Sequence, residues 1–158
     1  MAAKKAVKEG KTRASDEIAL RKLKSKINNF EELKREFDLS EEDRSSRAIL
    51  KKIIDHLETY EKIIIQVFQP EEFHSLYESN YFSDTEKSEL FELYKRIMIN
   101  HREVMKSIIE NDESNNIATI NFVSSEIKSM KPGLVKLAGK LKDSWKNDSK
   151  KGNIGYFG

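Results

Sequence analysis

The chain has 158 residues with 35% charged and 37% hydrophobic side chains, which suits one domain able to bury an apolar core. Because it contains no cysteine, the composition excludes disulfides, cysteine-ligated zinc, iron–sulfur clusters and a thiol nucleophile. No run of about 18 apolar residues occurs, and basic residues 1–11 precede no apolar signal core. We therefore expect a cytoplasmic protein without a membrane span.

The net charge of +2 hides a separation of charge along the chain. Residues 1–14 carry +4 and residues 128–158 carry +6, whereas residues 38–82 carry −5 and residues 83–127 carry −4. Two basic ends around an acidic middle predict either contact of the ends with a polyanion or attraction of the ends to the middle.

Residues 1–14 predict a disordered basic arm, because they offer too few large apolar side chains for a core. Ser15 can then cap a helix that reaches about Phe37. Asn28 and Asn29 weaken this helix, so one continuous helix and a break at this pair both stay open. The apolar residues with helical spacing are Leu20, Leu23, Ile27, Phe30, Leu33 and Phe37.

The clearest helical pattern lies in residues 40–69, where one apolar stripe recurs every three or four residues. Ser40 followed by three acidic residues predicts the start of this helix, and Pro70 predicts its end. Residues 63–65 are β-branched and could form a short strand, but the stripe continues through them and favours a helix. The stripe consists of Leu50, Ile53, Leu57, Tyr60, Ile64 and Val67.

A short helix is predicted next, beginning at Pro70 and ending near Ser79 or Asn80. Aromatic residues are concentrated around it, and they suggest two interpretations. The rings either cover one end of a helical bundle or form a pocket for a partner. These residues are Phe68, Phe73, Tyr77, Tyr81 and Phe82.

Ser83 and Glu86 have the spacing of a capping box, which predicts a second long helix from this point to about Asn111. Its stripe consists of Leu90, Tyr94, Ile97, His101, Val104 and Ile108.

The last predicted helix covers residues 116–147 and contains Pro132 and Gly133. Its apolar spacing survives the proline, which predicts either one kinked helix or two nearly collinear pieces, with Val135 outside the stripe. The stripe consists of Val123, Ile127, Met130, Leu134, Leu137, Leu141 and Trp145.

Together these patterns predict an all-α fold, namely a single-domain antiparallel four-helix bundle with a short extra aromatic helix. The basic arm would occupy residues 1–14, the bundle residues 15–147, and a flexible C-terminal tail residues 148–158. Whether the bundle forms within one chain or between two is left open by the stripes.

Catalytic and metal-binding patterns are weak. Glu71 and His74 have the spacing of half a di-iron site, but neither His56 nor His101 supplies the second pair. No phosphate-binding glycine loop or nucleophile motif occurs. We therefore expect no enzyme activity, no catalytic residue, no metal and no cofactor, with a metal-binding helical-bundle enzyme as the remaining catalytic alternative.

The basic ends offer a candidate nucleic-acid surface, because lysines of the last helix point away from its apolar stripe. Without arginine and aromatic side chains on that face, binding would be nonspecific and sensitive to salt. The alternatives are a solvated face and a membrane-surface helix ending in Trp145. The candidate residues are Lys4, Lys5, Lys8, Lys11 and Arg13 in the arm, and Lys128, Lys131, Lys136, Lys140, Lys142 and Lys146 in the helix.

The C-terminal tail offers a candidate protein-binding site, because Ile154, Tyr156 and Phe157 are apolar residues beyond the predicted core. They would bind a protein partner or fold back onto their own bundle. The sequence thus predicts a non-catalytic interaction or adaptor protein, associated with a nucleic-acid-containing assembly. Nonspecific nucleic-acid binding through the basic ends is the first alternative.

Overall fold

The computed structural model describes residues 18, 20–40 and 42–146, which form helices and the short connections between them. Within these residues no strand occurs, so the predicted all-α class is confirmed. None of the described helices combines the length and apolar character that crossing a membrane requires. The helices are α1 (20–26), α2 (Phe30–Glu36), α3 (Ser46–Phe68), α4 (Phe73–Asn80), α5 (Asp84–Glu110) and α6 (Glu113–Lys146).

The first predicted helix is broken at Asn29, whose backbone adopts a left-handed conformation with φ of 52°. Asparagine tolerates this conformation better than most residues, which explains why the break falls at this pair. The Asn28 backbone N–H donates to Asn121 Oδ1 at 2.8 Å, and Asn121 Nδ2 donates to the Lys26 carbonyl at 3.2 Å. The side chain of α6 therefore satisfies backbone groups that the break exposes.

The predicted start of α3 at Ser40 is wrong by six residues. Asp43 Oδ2 accepts hydrogen bonds from the Ser40 backbone N–H and from its hydroxyl, at 2.8 and 2.9 Å, which closes a separate turn. The helix begins at Ser46, and Ser45 Oγ accepts from the Ala48 N–H at 3.1 Å as its cap. Two capping sequences lie close together, and only the second is continued by a helix.

The capping box of α5 is confirmed by its hydrogen bonds. Glu86 Oε2 accepts from the Ser83 backbone N–H at 2.9 Å and from its hydroxyl at 2.7 Å. The α6 helix runs unbroken through Pro132, so this part of the chain is one helix and not two collinear pieces. The α4 helix ends at Asn80 as predicted but begins at Phe73, three residues after Pro70.

The predicted stripes form the core of the described residues. On α3, the side chains of Leu50, Ile53, Leu57 and Ile64 are fully buried. On α5 the buried residues include Ile97 and Val104, and on α6 they include Val123, Ile127, Met130 and Leu137. The stripe of α6 fails at its end, because Trp145 is 49% exposed while the neighbouring Ser144 is fully buried.

Contacts divide the chain into two compact units, each containing parts of α3, α5 and α6. Unit 1 consists of the described residues up to His56 together with His101–Ser125. Unit 2 consists of Leu57–Asn100 together with the described residues from Glu126 onward. The candidate sites below are described within one unit at a time.

Candidate partner-binding surface

Helix α4 in unit 2 is anchored by two buried serines. Ser79 Oγ donates to the Val67 carbonyl at 2.7 Å, which ties α4 to the end of α3. Ser75 Oγ donates to the Glu72 carbonyl at 2.9 Å and accepts from the Glu72 N–H at 3.2 Å, which fixes the first turn. Since α4 turns small polar residues inward, its large apolar residues face elsewhere.

Those apolar residues form an exposed surface, which we call the α4–Trp145 surface and define by Phe73, Leu76, Tyr77 and Trp145. Spacings of three and four place the three α4 residues within one sector of the helix. Phe73 is 75% exposed, while Leu76 and Trp145 are each 49% exposed. Contiguous apolar side chains of this size at a surface are typical of interaction sites.

Trp145 is held against α4 by three contacts. Its ring lies 5.0 Å from the Tyr77 ring at an angle of 40°, and its Nε1 donates to Glu78 Oε1 at 2.7 Å. The Tyr77 hydroxyl donates to the Ser144 carbonyl at 3.0 Å, near the end of α6. The last turn of α6 is thereby fixed beside α4, and residue 147 follows directly from this surface.

An acidic groove precedes the α4–Trp145 surface along the chain. It has a volume of about 210 Å³, and Glu71, Glu72 and His74 line it. His74 Nδ1 lies 3.1 Å from Glu72 Oε2. Among the described residues, no group of three or more acidic or histidine side chains could hold a metal ion, so Glu71 and His74 gain no further ligand here.

Lys136 and Lys140, two candidate lysines on α6, form ion pairs with α5. Lys136 Nζ lies 2.7 Å from Glu89 Oε2, and Lys140 pairs with Glu86. The ammonium of Lys140 also lies 5.1 Å from the ring centre of Phe82. The charge of these two lysines is therefore offset by neighbouring carboxylates, which makes them weaker phosphate ligands.

The pKa values of this cluster follow from the pairing. The hydrogen bond from Lys140, followed by those from Ser83, lowers the pKa of Glu86 to about 2. The hydrogen bond and charge of Glu89 raise the pKa of Lys136 above its usual 10.5.

Beside the two ion pairs lies a cavity of about 100 Å³ with apolar walls that include Leu90, Leu93 and Leu137. A Cβ added at Gly133 would lie 3.2 Å from Leu93, so this part of α6 packs closely.

The other four candidate lysines lie on one exposed side of α6. Their spacings of 3, 11 and 4 residues return to the same helical sector, while Lys136 and Lys140 fall on a different side. Val135, in the middle of this exposed side, is 66% exposed, as its predicted place outside the stripe requires. The four lysines on this side are Lys128, Lys131, Lys142 and Lys146.

The remaining predicted site residues lie outside the described part of the chain. The arm residues are Lys4, Lys5, Lys8, Lys11 and Arg13, and the tail residues are Ile154, Tyr156 and Phe157.

Sequence reasoning assigned Trp145 to the buried stripe and therefore missed its place in the surface. One sequence feature could have indicated that Trp145 lies at the surface. Leu134, Leu141 and Trp145 belong to the half of α6 that is richest in lysine, and a lysine-rich helix segment is more often exposed. In the structure Leu134 and Leu141 are only half-buried.

Comparisons of the chain with protein-family models, with curated proteins and with solved structures found no match. A functional proposal therefore depends on the geometry of the described residues and on the sequence.

Proposed function

We propose that the chain is a non-catalytic cytoplasmic interaction protein that binds a protein partner through the end of α6 and the residues after it. The observation that carries this proposal is the α4–Trp145 surface, where the large apolar side chains of Phe73 and Leu76 are 75% and 49% exposed. The segment 148–158, which contains Ile154, Tyr156 and Phe157, begins three residues after Trp145. Exposed apolar side chains on α4, together with apolar residues that follow α6 closely in the sequence, favour a composite binding site.

The energy available at such a site is sufficient for specific binding. Complete burial of a phenylalanine or leucine side chain contributes about 1.5–3 kcal/mol. Because Phe73 is 75% exposed and Leu76 is 49% exposed, most of that contribution is still available to a partner. Association costs several kcal/mol, so the surface and the tail residues are expected to act together.

Affinity purification from the native organism tests the proposal. Removal of residues 148–158, or the double variant Phe73→Ser and Leu76→Ser, should abolish capture of the partner that the full chain retains. Val135→Ser is the matched control, because Val135 is equally exposed but lies outside the surface. Circular dichroism should show unchanged helix content in all variants. Undiminished capture by both altered proteins would contradict the proposal.

We propose nonspecific nucleic-acid binding as a second function, favoured by the four exposed lysines on one side of α6. Lys128 and Lys146 are 18 residues apart, so the basic side extends about 27 Å along the helix at 1.5 Å per residue. A basic line of this length can neutralise several phosphates, and the arm lysines would add to it.

Affinity for mixed-sequence DNA or RNA, measured across a salt series, tests this second function. Replacing the four exposed lysines by glutamine should lower the affinity and flatten its salt dependence by up to about four counterions. Lys136→Gln together with Lys140→Gln is the control, since these lysines lie on a different side of α6, where they contact Glu89 and Glu86. Absence of binding at low salt would exclude the function.

We also propose that the helices pack as a mainly antiparallel four-helix bundle. In unit 1, Asn116 near the start of α6 bonds both Ser107 near the end of α5 and Ser46 at the start of α3. These contacts support opposite directions for α5 and its two neighbours.

A further inference from the structure

We propose that the α4–Trp145 surface binds residues 148–157 of its own chain, with Ile154, Tyr156 and Phe157 against Phe73 and Leu76. The inference rests on the proposed function, because it says how the two parts of the proposed binding site are arranged in the free protein: a partner that binds both the surface and the tail residues must first separate them. Four features favour this occupant over others: proximity, length, charge and apolar content.

Proximity comes from the contacts of Trp145. Because Trp145 packs on Tyr77 and donates to Glu78, the chain leaves α6 beside α4. The segment therefore begins at one edge of the surface that it would cover. A partner or a second copy of the chain would first have to diffuse to that place.

The length of the segment is sufficient. Residues 148–157 can extend about 33 Å at about 3.3 Å per residue. The step from Tyr77 to Phe73 along α4 is only about 6 Å at 1.5 Å per residue. The spare length permits a reversal of direction, and Gly152 and Gly155 accept the backbone conformations that a tight turn needs.

Charge and apolar content are also complementary. Lys150 and Lys151 precede the apolar residues of the segment, while exposed Glu71 and Glu72 precede Phe73 on the surface. Docking would thus place two ammonium groups near two carboxylates and three apolar side chains near two exposed ones. Of the α6 lysines, Lys140 is paired with Glu86, which reduces its repulsion of Lys150 and Lys151.

Tethering makes even a weak contact effective. A segment joined to its site by a short link has an effective concentration of roughly 1 mM, so docking predominates when the dissociation constant of the contact is below that value, and a free competitor of equal affinity needs about 1 mM to match it. A partner of higher affinity can still displace it. The segment would therefore cover the surface in the free protein, and the partner would cover it in the complex.

Trp145 supplies the probe for this proposal, because it is the single tryptophan of the chain and belongs to the surface. Acrylamide quenching of its fluorescence should be compared between the full chain and a variant of the same length with Ile154→Ser, Tyr156→Ser and Phe157→Ser. We expect the full chain to show a quenching constant about twofold lower, because a docked segment covers much of the Trp145 ring, which is 49% exposed without it. Equal quenching constants in the two proteins would overturn the proposal.

A second variant separates docking from a local change at the end of α6. Phe73→Ser with Leu76→Ser leaves the tail intact but removes its site, and should raise quenching to the level of the tail variant. Val135→Ser, which alters an exposed residue elsewhere on α6, should keep the lower quenching. Protection retained in the Phe73 and Leu76 variant would overturn the assignment of the site.

Dilution identifies the occupant. Protection by the chain's own segment should not change over a hundredfold dilution, whereas protection by a second copy should disappear, and the latter result would overturn the proposal. The proposed function is judged separately by partner capture. Partner capture without protection of Trp145 would support the proposed function and contradict self-docking. Protection of Trp145 without partner capture would support self-docking and contradict the proposed function.

Discussion

Units 1 and 2 differ in how their buried polar groups are satisfied. In unit 1, three buried side chains from three helices bond one another. Ser107 Oγ donates to Asn116 Oδ1 at 2.8 Å, and Asn116 Nδ2 donates to Ser46 Oγ at 3.2 Å. In unit 2, the buried hydroxyls of Ser75, Ser79 and Ser144 donate to backbone carbonyls instead.

This difference indicates what each unit depends on. A side-chain network between helices is satisfied in one register only, so unit 1 obtains specificity from it. The serines of unit 2 tolerate more arrangements, and its stability depends mainly on apolar packing. Unit 2 also carries the exposed apolar side chains of the α4–Trp145 surface, which its core does not bury.

The largest effect is expected in the apolar core of unit 2. Ile64 is fully buried, so Ile64→Ala should lower the free energy of unfolding by about 3–4 kcal/mol through lost burial and a residual cavity. The control is Ile63→Ala, since Ile63 is 38% exposed and its loss should cost about 1 kcal/mol or less. Urea unfolding measures both values. Similar losses in the two variants would show that packing does not dominate unit 2.

A smaller effect is expected in the polar network of unit 1. Asn116→Ala leaves the buried hydroxyls of Ser46 and Ser107 without their shared partner, which should cost about 2–3 kcal/mol. Asn115→Ala is the control, because the neighbouring Asn115 side chain is exposed and its replacement should change stability by about 0.5 kcal/mol or less. Urea unfolding again gives the answer. If the control is as destabilised as Asn116→Ala, the network contributes nothing of its own.

Much of the fold was predictable from periodicity. The stripe from Leu50 to Val67 and the capping box at Ser83 are local patterns, and the structure confirms both. At Pro132 the stripe left open one kinked helix or two nearly collinear pieces. The structure has one helix there, because packing on one side can hold a helix together where a backbone hydrogen bond is lost.

Local patterns were insufficient where two of them competed or where tertiary contacts decided. Ser40 and Ser45 can both cap a helix. In the structure Ser40 bonds Asp43 in a separate turn, and Ser45 caps α3. The place of Trp145 depends on Tyr77 and Glu78, which lie 67 or more residues earlier in the chain. The pairing of Lys136 and Lys140 with α5 likewise needs the positions of two helices, which spacing along α6 alone does not contain.

The smallest effect is expected from the surface ion pair between Glu86 and Lys140 in unit 2. Its contribution can be recognised by its pH dependence. The pKa of Glu86 is lowered from 4.5 to about 2 in the folded protein, so the stabilisation is complete above pH 4.5 and is lost as the pH falls to about 2. The stability difference between the protein and Glu86→Gln should therefore shrink over this range in urea unfolding.

Lys140→Met removes the largest cause of the lowered pKa of Glu86 while keeping an apolar stem over Phe82. This variant should move the titration midpoint of Glu86 to higher pH. Carboxyl chemical shifts in NMR report that midpoint directly, and a Glu86 titration that is the same with and without Lys140 would show that the pair does not hold the carboxylate ionised.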